Sequence, residues 1–123
     1  MRAEIRQIHF DLNDRERVAI KSEHDFRVEV DLIVGPQGQL GGNDYIIYVC
    51  SPAWLASQPK PILGRFLLIV ESFNEEEIEA ILKALVAEYS AETWPELGQK
   101  LARFMEWEFE DYEEMNPESL NRK

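Results

Sequence analysis

Three features of this 123-residue chain predict the α+β class, an antiparallel sheet of four to five strands packed against two amphipathic helices, with a C-terminal extended segment. Residues Phe26 to Val34 alternate apolar and charged without a break, as a strand with one buried and one wet face must. Residues Asn74 to Tyr89 repeat apolar side chains at the 3.6-residue spacing of a helix. Strand patterns come first and helix patterns later, which points to helices gathered on one side of an antiparallel sheet rather than a βαβ fold. One core at this length buries about two thirds of the unfolded surface, so residues 1–123 are read as a single domain.

The first strand is expected from about Ala3 to Leu12, where Ile8, Phe10 and Leu12 alternate with His9 and Asp11. Asn13-Asp14-Arg15-Glu16-Arg17 reads as a turn or loop. In the second strand Phe26, Val28, Val30, Leu32 and Val34 share one face and Arg27, Glu29 and Asp31 the other. Gly35-Pro36-Gln37-Gly38, with Gly41-Gly42-Asn43, supplies a connection of hairpin type. The returning strand, Tyr45 to Cys50, is apolar or aromatic on both faces, which predicts an interior strand covered on both sides. Ser51-Pro52 is an N-cap followed by proline at the first helical position, so Pro52 to Gln58 is read as one or two helical turns. The unbroken Phe66-Leu67-Leu68-Ile69-Val70 predicts a fourth, central strand from Arg65 to Glu71.

Asn74 with Glu77 three residues on is a capping pair, and Ile78, Ile81, Leu82, Leu85, Val86 and Tyr89 form the stripe of the first long helix. Thr93 with Glu96 repeats the signal, and Trp94, Leu97, Leu101 and Phe104 define the second, with Pro95 tolerated in its first turn and Gly98 weakening it. Beyond Glu106 the stripe fails. Trp107 and Phe109 would point to nearly opposite sides of a helix but share one face of a strand, so Trp107 to Tyr112 is expected to be extended. Glu106, Glu108, Glu110 and Tyr112 then face one way, and Trp107, Phe109 and Asp111 the other. The polar residues from Met115 to Lys123 are expected to fray.

The hydrophobic fraction of 45% and the three tryptophans are those of a folded chain. Thirteen basic against 24 acidic residues give a net charge of -11, which opposes direct binding of nucleic acid or an anionic membrane, since both require phosphate to be neutralised. The excess lies in one half: residues 1–65 carry 8 Lys+Arg and 9 Asp+Glu, net -1, and residues 66–123 carry 5 and 15, net -10. The charged N-terminus has no apolar signal region and no apolar run is long enough to span a bilayer, so a cytoplasmic location is expected. Cys50 is the only cysteine, which rules out an internal disulfide and a multi-cysteine zinc site.

Familiar catalytic sets are missing from the sequence pattern. His9 and His24 have no partner at ligand spacing. Cys50 ends an apolar strand, where a thiol behaves as a small hydrophobe. Gly41-Gly42 is too short and too poor in lysine for a phosphate loop. Glu75, Glu76, Glu77 and Glu79 open a helix, where carboxylates complement the macrodipole. The run Glu106 to Glu114 is different, because six carboxylates lie within nine residues and no capping rule accounts for them. Its spacing is not that of a calcium loop. It reads either as a solvated acidic edge or as a protein-binding surface.

Several stretches in order resemble the immunity protein 8 family, small α+β proteins encoded beside the toxins of bacterial polymorphic and contact-dependent toxin systems. They are Val34-Gly35-Pro36-x-Gly38, Val49-Cys50-Ser51-Pro52-x-Trp54-Leu55, Gly64-Arg65-x-Leu67-Leu68-Ile69-Val70-Glu71, Thr93-Trp94-x-Glu96 and Trp107-Glu108-Phe109-Glu110-Asp111-Tyr112. Asn13–Asp25 and the linker Pro59–Pro61 lie outside the matching stretches. The resemblance implies a non-enzymatic antidote, with no catalytic residue and no cofactor, that binds the C-terminal domain of a cognate toxin. With the acidic charge, it makes Glu106, Glu108, Glu110, Asp111 and Tyr112 the expected contacts for a basic, nuclease-type toxin. Trp107 and Phe109 are expected to fasten the segment to the core. Within such a family shared residues also serve the fold, so Asp111 and Glu71 have a competing assignment as internal partners of Arg65 or Arg103. The rival readings are a small enzyme using Glu71 or Asp111 with Arg65, and a general interaction subunit. Self-association is not readable from the sequence.

Overall fold

Strand β2 (Arg27–Pro36) is where the alternation of the sequence becomes geometry. In the computed structural model, which describes residues 1–108, it pairs antiparallel with β1 (Ala3–Phe10) on one side and β3 (Asn43–Cys50) on the other. Val28, Val30, Leu32 and Val34 are buried, while Arg27, Glu29 and Asp31 are not. Two long helices, α3 (Glu75–Ala87) and α4 (Trp94–Leu101), cover the buried side through Ile78, Leu82 and Val86 and through Leu97 and Leu101. The class is the α+β architecture that the patterning predicts, with five strands. No helix among the described residues is long and apolar enough to cross a membrane.

Strand β1 ends at Phe10 rather than Leu12 and contains a bulge between Ile5 and Gln7. The extra residue resets the pleat, so Ile5 opposite Val34 and Ile8 opposite Leu32 both turn inward although they are three apart. Arg6, released at the bulge, donates to the Pro36 carbonyl at 2.7 Å and also to those of Gln39 and Gly41. It thereby fastens the edge strand to the loop between β2 and β3. Gly38 and Gly41 have φ of 78° and 96° there, the left-handed region that glycine enters without a steric cost.

Asn13–Arg17, expected as loop, begins helix α1 (Asp14–Ala19). Asn13 Oδ1 accepts from the Glu16 amide at 2.8 Å while Glu16 Oε1 accepts from the Asn13 amide at 3.0 Å, a complete capping box. No residue of α1 is buried, so local capping rather than a core stripe holds it. Arg17 pairs with Glu75 in the first turn of α3.

Two expectations about strands are corrected. Strand β4 is only Leu67–Ile69, it runs parallel to β3, and it lies at the edge of the sheet rather than its centre. Phe66 sits at φ 57°, outside the extended region, so pairing starts one residue later. Strand β3 is interior as expected, but it is not covered on both sides. Tyr45, Ile47 and Val49 are in the core, whereas Ile46 and Tyr48 are only half-buried and only Cys50 of that second face is fully buried. Helix α2 (Pro52–Ala56) follows at once, capped by Ser51, whose Oγ accepts from Trp54 N at 3.2 Å and from Phe26 N at 3.1 Å.

Strand β5 (Glu106–Trp107) shares the far side of β3 with β4: β5 lies against Tyr45 and Ile46, and β4 against Tyr48 to Cys50. Of the expected extended segment Trp107 to Tyr112, Trp107 is in this strand and Glu108 is already in a turn. The expectations for Phe109, Glu110, Asp111 and Tyr112 lie outside the described residues. Tyr45 joins this end of the fold, for its buried hydroxyl donates to the Gly98 carbonyl at 3.2 Å and its ring lies 6.5 Å from that of Trp107. Glycine at position 98 permits the approach, since a Cβ there would be 3.4 Å from the Tyr45 hydroxyl and 3.3 Å from Asn43 Nδ2.

Gly35 is the tightest position of the hairpin. A Cβ there would collide with the Gly41 carbonyl oxygen and lie 2.8 Å from two nitrogens of the Arg6 guanidinium. Gly35→Ala should therefore lower the urea midpoint at unchanged slope, by an amount equivalent to about 1–3 kcal/mol. An unchanged midpoint would show that the loop absorbs the methyl group and that Arg6 does not clamp it.

Candidate protein-interaction face

The pleat that sends the aliphatic residues of β2 into the core sends Arg27, Glu29, Asp31 and Ile33 to the opposite face. The same alternation, after the bulge, places Gln7 and His9 there from β1, with Asp11 just beyond its end, Asp44, Ile46 and Tyr48 from β3, and Leu67 and Ile69 from β4. Strand β5 adds Glu106, and Glu108 follows it, with its amide donating to the Asp44 carbonyl at 3.0 Å. All these side chains are exposed or half-buried. The long helices lie on the other side.

Register turns this face into cross-strand rows. His9 faces Asp31, Asp31 faces Ile46, and Ile46 faces Glu106. One row away, Gln7 faces Ile33, Ile33 faces Asp44, and Asp44 is bonded to Glu108. On the other side Glu29 faces Tyr48, Tyr48 faces Leu67, and the Asp11 amide donates to the Glu29 carbonyl at 3.0 Å. Gln7, His9, Asp31, Ile33, Asp44 and Glu108 line a shallow concavity of about 350 Å³. Same-face residues two apart on a strand are about 6.5–7 Å apart, below the Debye length of about 8 Å at physiological salt, so the fields of the six carboxylates add.

Electrostatic strain is visible at the centre. Burial pushes the Glu29 carboxyl above its usual range, helped by a hydrogen bond and like charge from Asp31 and by the charge of Asp11, while Arg27 opposes the shift. Tyr48 is raised in the same way, by burial first and then by Glu106 and Glu29. Arg27 lies 4.1 Å above the Tyr48 ring and 5.6 Å from that of Trp54, so its charge is held at one end of the face by aromatic stacking.

Of the expected contacts, Glu106 and Glu108 stand on this face, and Trp107 turns to the core against Tyr45. Glu110, Asp111 and Tyr112 lie outside the described residues. Sequence reasoning did not join Asp11, Glu29, Asp31 and Asp44 to the acidic run. The wet side of β2 was legible in its alternation, but the pairing that brings it beside Glu106 requires the register.

The other candidates stay apart. Cys50 is buried and burial raises its thiol, which keeps it protonated. His24 is exposed. Glu71 and Arg65 are both exposed, with the Arg65 guanidinium 4.4 Å above the Phe66 ring, and no ion pair joins Glu71 to Arg65 or Arg103. Among the described residues, no three His, Cys, Asp or Glu side chains are grouped closely enough to hold a metal ion. The carboxylates of the sheet are spread rather than convergent.

The model of the family described as Immunity protein 8 matches residues 3–112. The chain belongs to the immunity protein 8 family. No curated protein and no solved structure matches it. An immunity protein of a toxin system acts by recognising a toxin, which requires a protein-binding surface.

Glu29 supplies a pH test of this face. A carboxyl raised in the folded state favours the fold least when ionised, so stability falls as pH rises from 4.5, the ordinary value, through the folded value. Glu29→Gln removes that penalty. In thermal melts the variant should gain on the parent at pH 8 and lose the advantage as pH approaches 4.5; a pH-independent difference would mean that the strain at Glu29 is absent.

Proposed function

We propose that the chain is an antidote that binds the C-terminal domain of a cognate bacterial toxin and occludes a basic, nuclease-type surface on it. The observation that carries this reading is the joining of the acidic C-terminal segment to the acidic sheet: Glu106 and Glu108 stand beside Asp31 and Asp44 on the face opposite the long helices. Family membership supports the toxin as partner. A toxin that acts on nucleic acid is basic around its substrate groove, and a net charge of -11 is complementary to it. The reading places the protein in the cytoplasm, where such toxins meet their substrate, and gives it no catalytic role.

In this mechanism the carboxylates accelerate encounter, and Glu106, Glu108, Glu110, Asp111 and Tyr112 contribute to the contact. Occlusion needs no reaction, only a surface that excludes nucleic acid from the groove. Association with the toxin should slow at least tenfold as salt rises from about 0.05 to 0.5 M in stopped-flow measurements. Reversing Glu108 and Glu110 to lysine should lower the association rate several-fold and leave the melting temperature nearly unchanged. A salt-independent association rate would remove electrostatic steering from the mechanism.

A further inference from the structure

We infer that the toxin docks across the face of the sheet opposite the long helices, with basic side chains entering the concavity between β1, β3 and Glu108 and an apolar patch meeting Ile46, Tyr48, Leu67 and Ile69. This rests on the immunity reading and goes beyond it by extending the interface from the C-terminal segment across the sheet.

The face has the two components of a specific protein interface, an apolar strip and a charged flank. Ile46, Tyr48 and Leu67 sit on adjoining strands, with Tyr48 directly opposite Leu67, and Ile69 is 53% exposed at the edge. Asp31 on β2 and Glu106 on β5 flank Ile46 from its two sides, and Asp44, two residues before it on β3, is bonded to Glu108. A tyrosine flanked by aliphatics contributes contact area at a small entropic cost, and charge around it favours one class of partner. The strands hold these side chains at fixed spacing, so little ordering remains to be done on binding.

Charge decides the occupant. Six carboxylates on a face whose arginine is already stacked on Tyr48 and Trp54 repel a second copy of the chain, nucleic acid and an anionic bilayer. Their spread, with no three groups gathered for a metal among the described residues, matches several separate lysines and arginines rather than one ion. A basic protein surface is the partner with that distribution.

The test uses the full chain and the catalytically inactivated C-terminal domain of the toxin encoded beside it. Binding is measured by calorimetry at physiological salt for the parent, for Asp31→Lys with Asp44→Lys, for Tyr48→Ala with Ile69→Ser, and for Glu88→Lys on the helical side. Each sheet pair should weaken binding at least 100-fold with a melting temperature close to the parent's, and Glu88→Lys should bind as the parent does. Carbodiimide labelling of the parent, which needs no variant to fold, should show Asp31, Asp44 and Glu106 protected in the complex. If the parent binds and the sheet variants bind within threefold of it, or if those carboxyls stay fully reactive, the docking face is wrong while the immunity reading stands. If the parent does not bind the toxin at all, both fall.

Discussion

The buried hydroxyl of Tyr45 is the constraint on which the placement of the acidic face depends. A phenol enclosed in a core must keep a hydrogen-bond partner, because an unsatisfied buried polar group costs about 1–3 kcal/mol. Tyr45 finds one in the Gly98 carbonyl, in the middle of α4. That bond sets how closely the helix approaches β3, and glycine is the residue that leaves room for it. The same ring lies against Trp107, so the last described strand is seated by the residue that seats the helix. Once Trp107 is inward, the pleat sends Glu106 outward, and the turn that follows brings Glu108 to the concavity beside Asp44. The position of these charges is thus a consequence of core packing.

Among the described residues the long helices cover one side of the sheet, and this has an energetic consequence. An antiparallel sheet tolerates a wet face because its backbone groups are satisfied within the sheet, but here that face carries mutually repelling carboxylates. The raised Glu29 marks where repulsion and partial burial coincide. A fold selected for stability alone would intersperse lysines, as surface strands ordinarily do. Concentrated like charge is instead what a basic partner relieves on binding, so repulsion in the free protein and attraction in a complex have one physical source.

How much of this was legible in the sequence depended on the range of the determining interaction. Strand β2 and helix α3 are fixed by periodicity, and the caps Ser51, Asn74 and Thr93 act over three residues. Asn13 and Glu16 form the same kind of local pair, yet the segment they open contributes no buried residue and so shows no stripe to read. The apolar run at 66–70 implied a central strand, but the backbone of Phe66 and the crossover that returns β4 parallel to β3 are set by tertiary contacts. The bulge at Arg6 was likewise hidden, although its effect, two inward isoleucines three apart, is plain in the register. The acidic run stood out because its charges are contiguous, whereas Asp11, Asp31 and Asp44 are scattered along the chain and become neighbours only by pairing.

That difference bears on recognition. Charge spread over a rigid sheet attracts any basic surface and therefore sets the speed of encounter more than the choice of partner. Discrimination among related toxins must come from groups that fit one shape and clash with another. In the docking proposed above those are Ile46, Tyr48, Leu67 and Ile69, together with Gln7 and His9 at the rim of the concavity. Substituting them leaves the net charge at -11 with His9 neutral, so partner choice can change without weakening the field that brings the partners together. In the proposed docking, a division between a charged part that steers and an apolar part that selects follows from the layout of the sheet, in which the two lie side by side on strands whose other face is committed to the core.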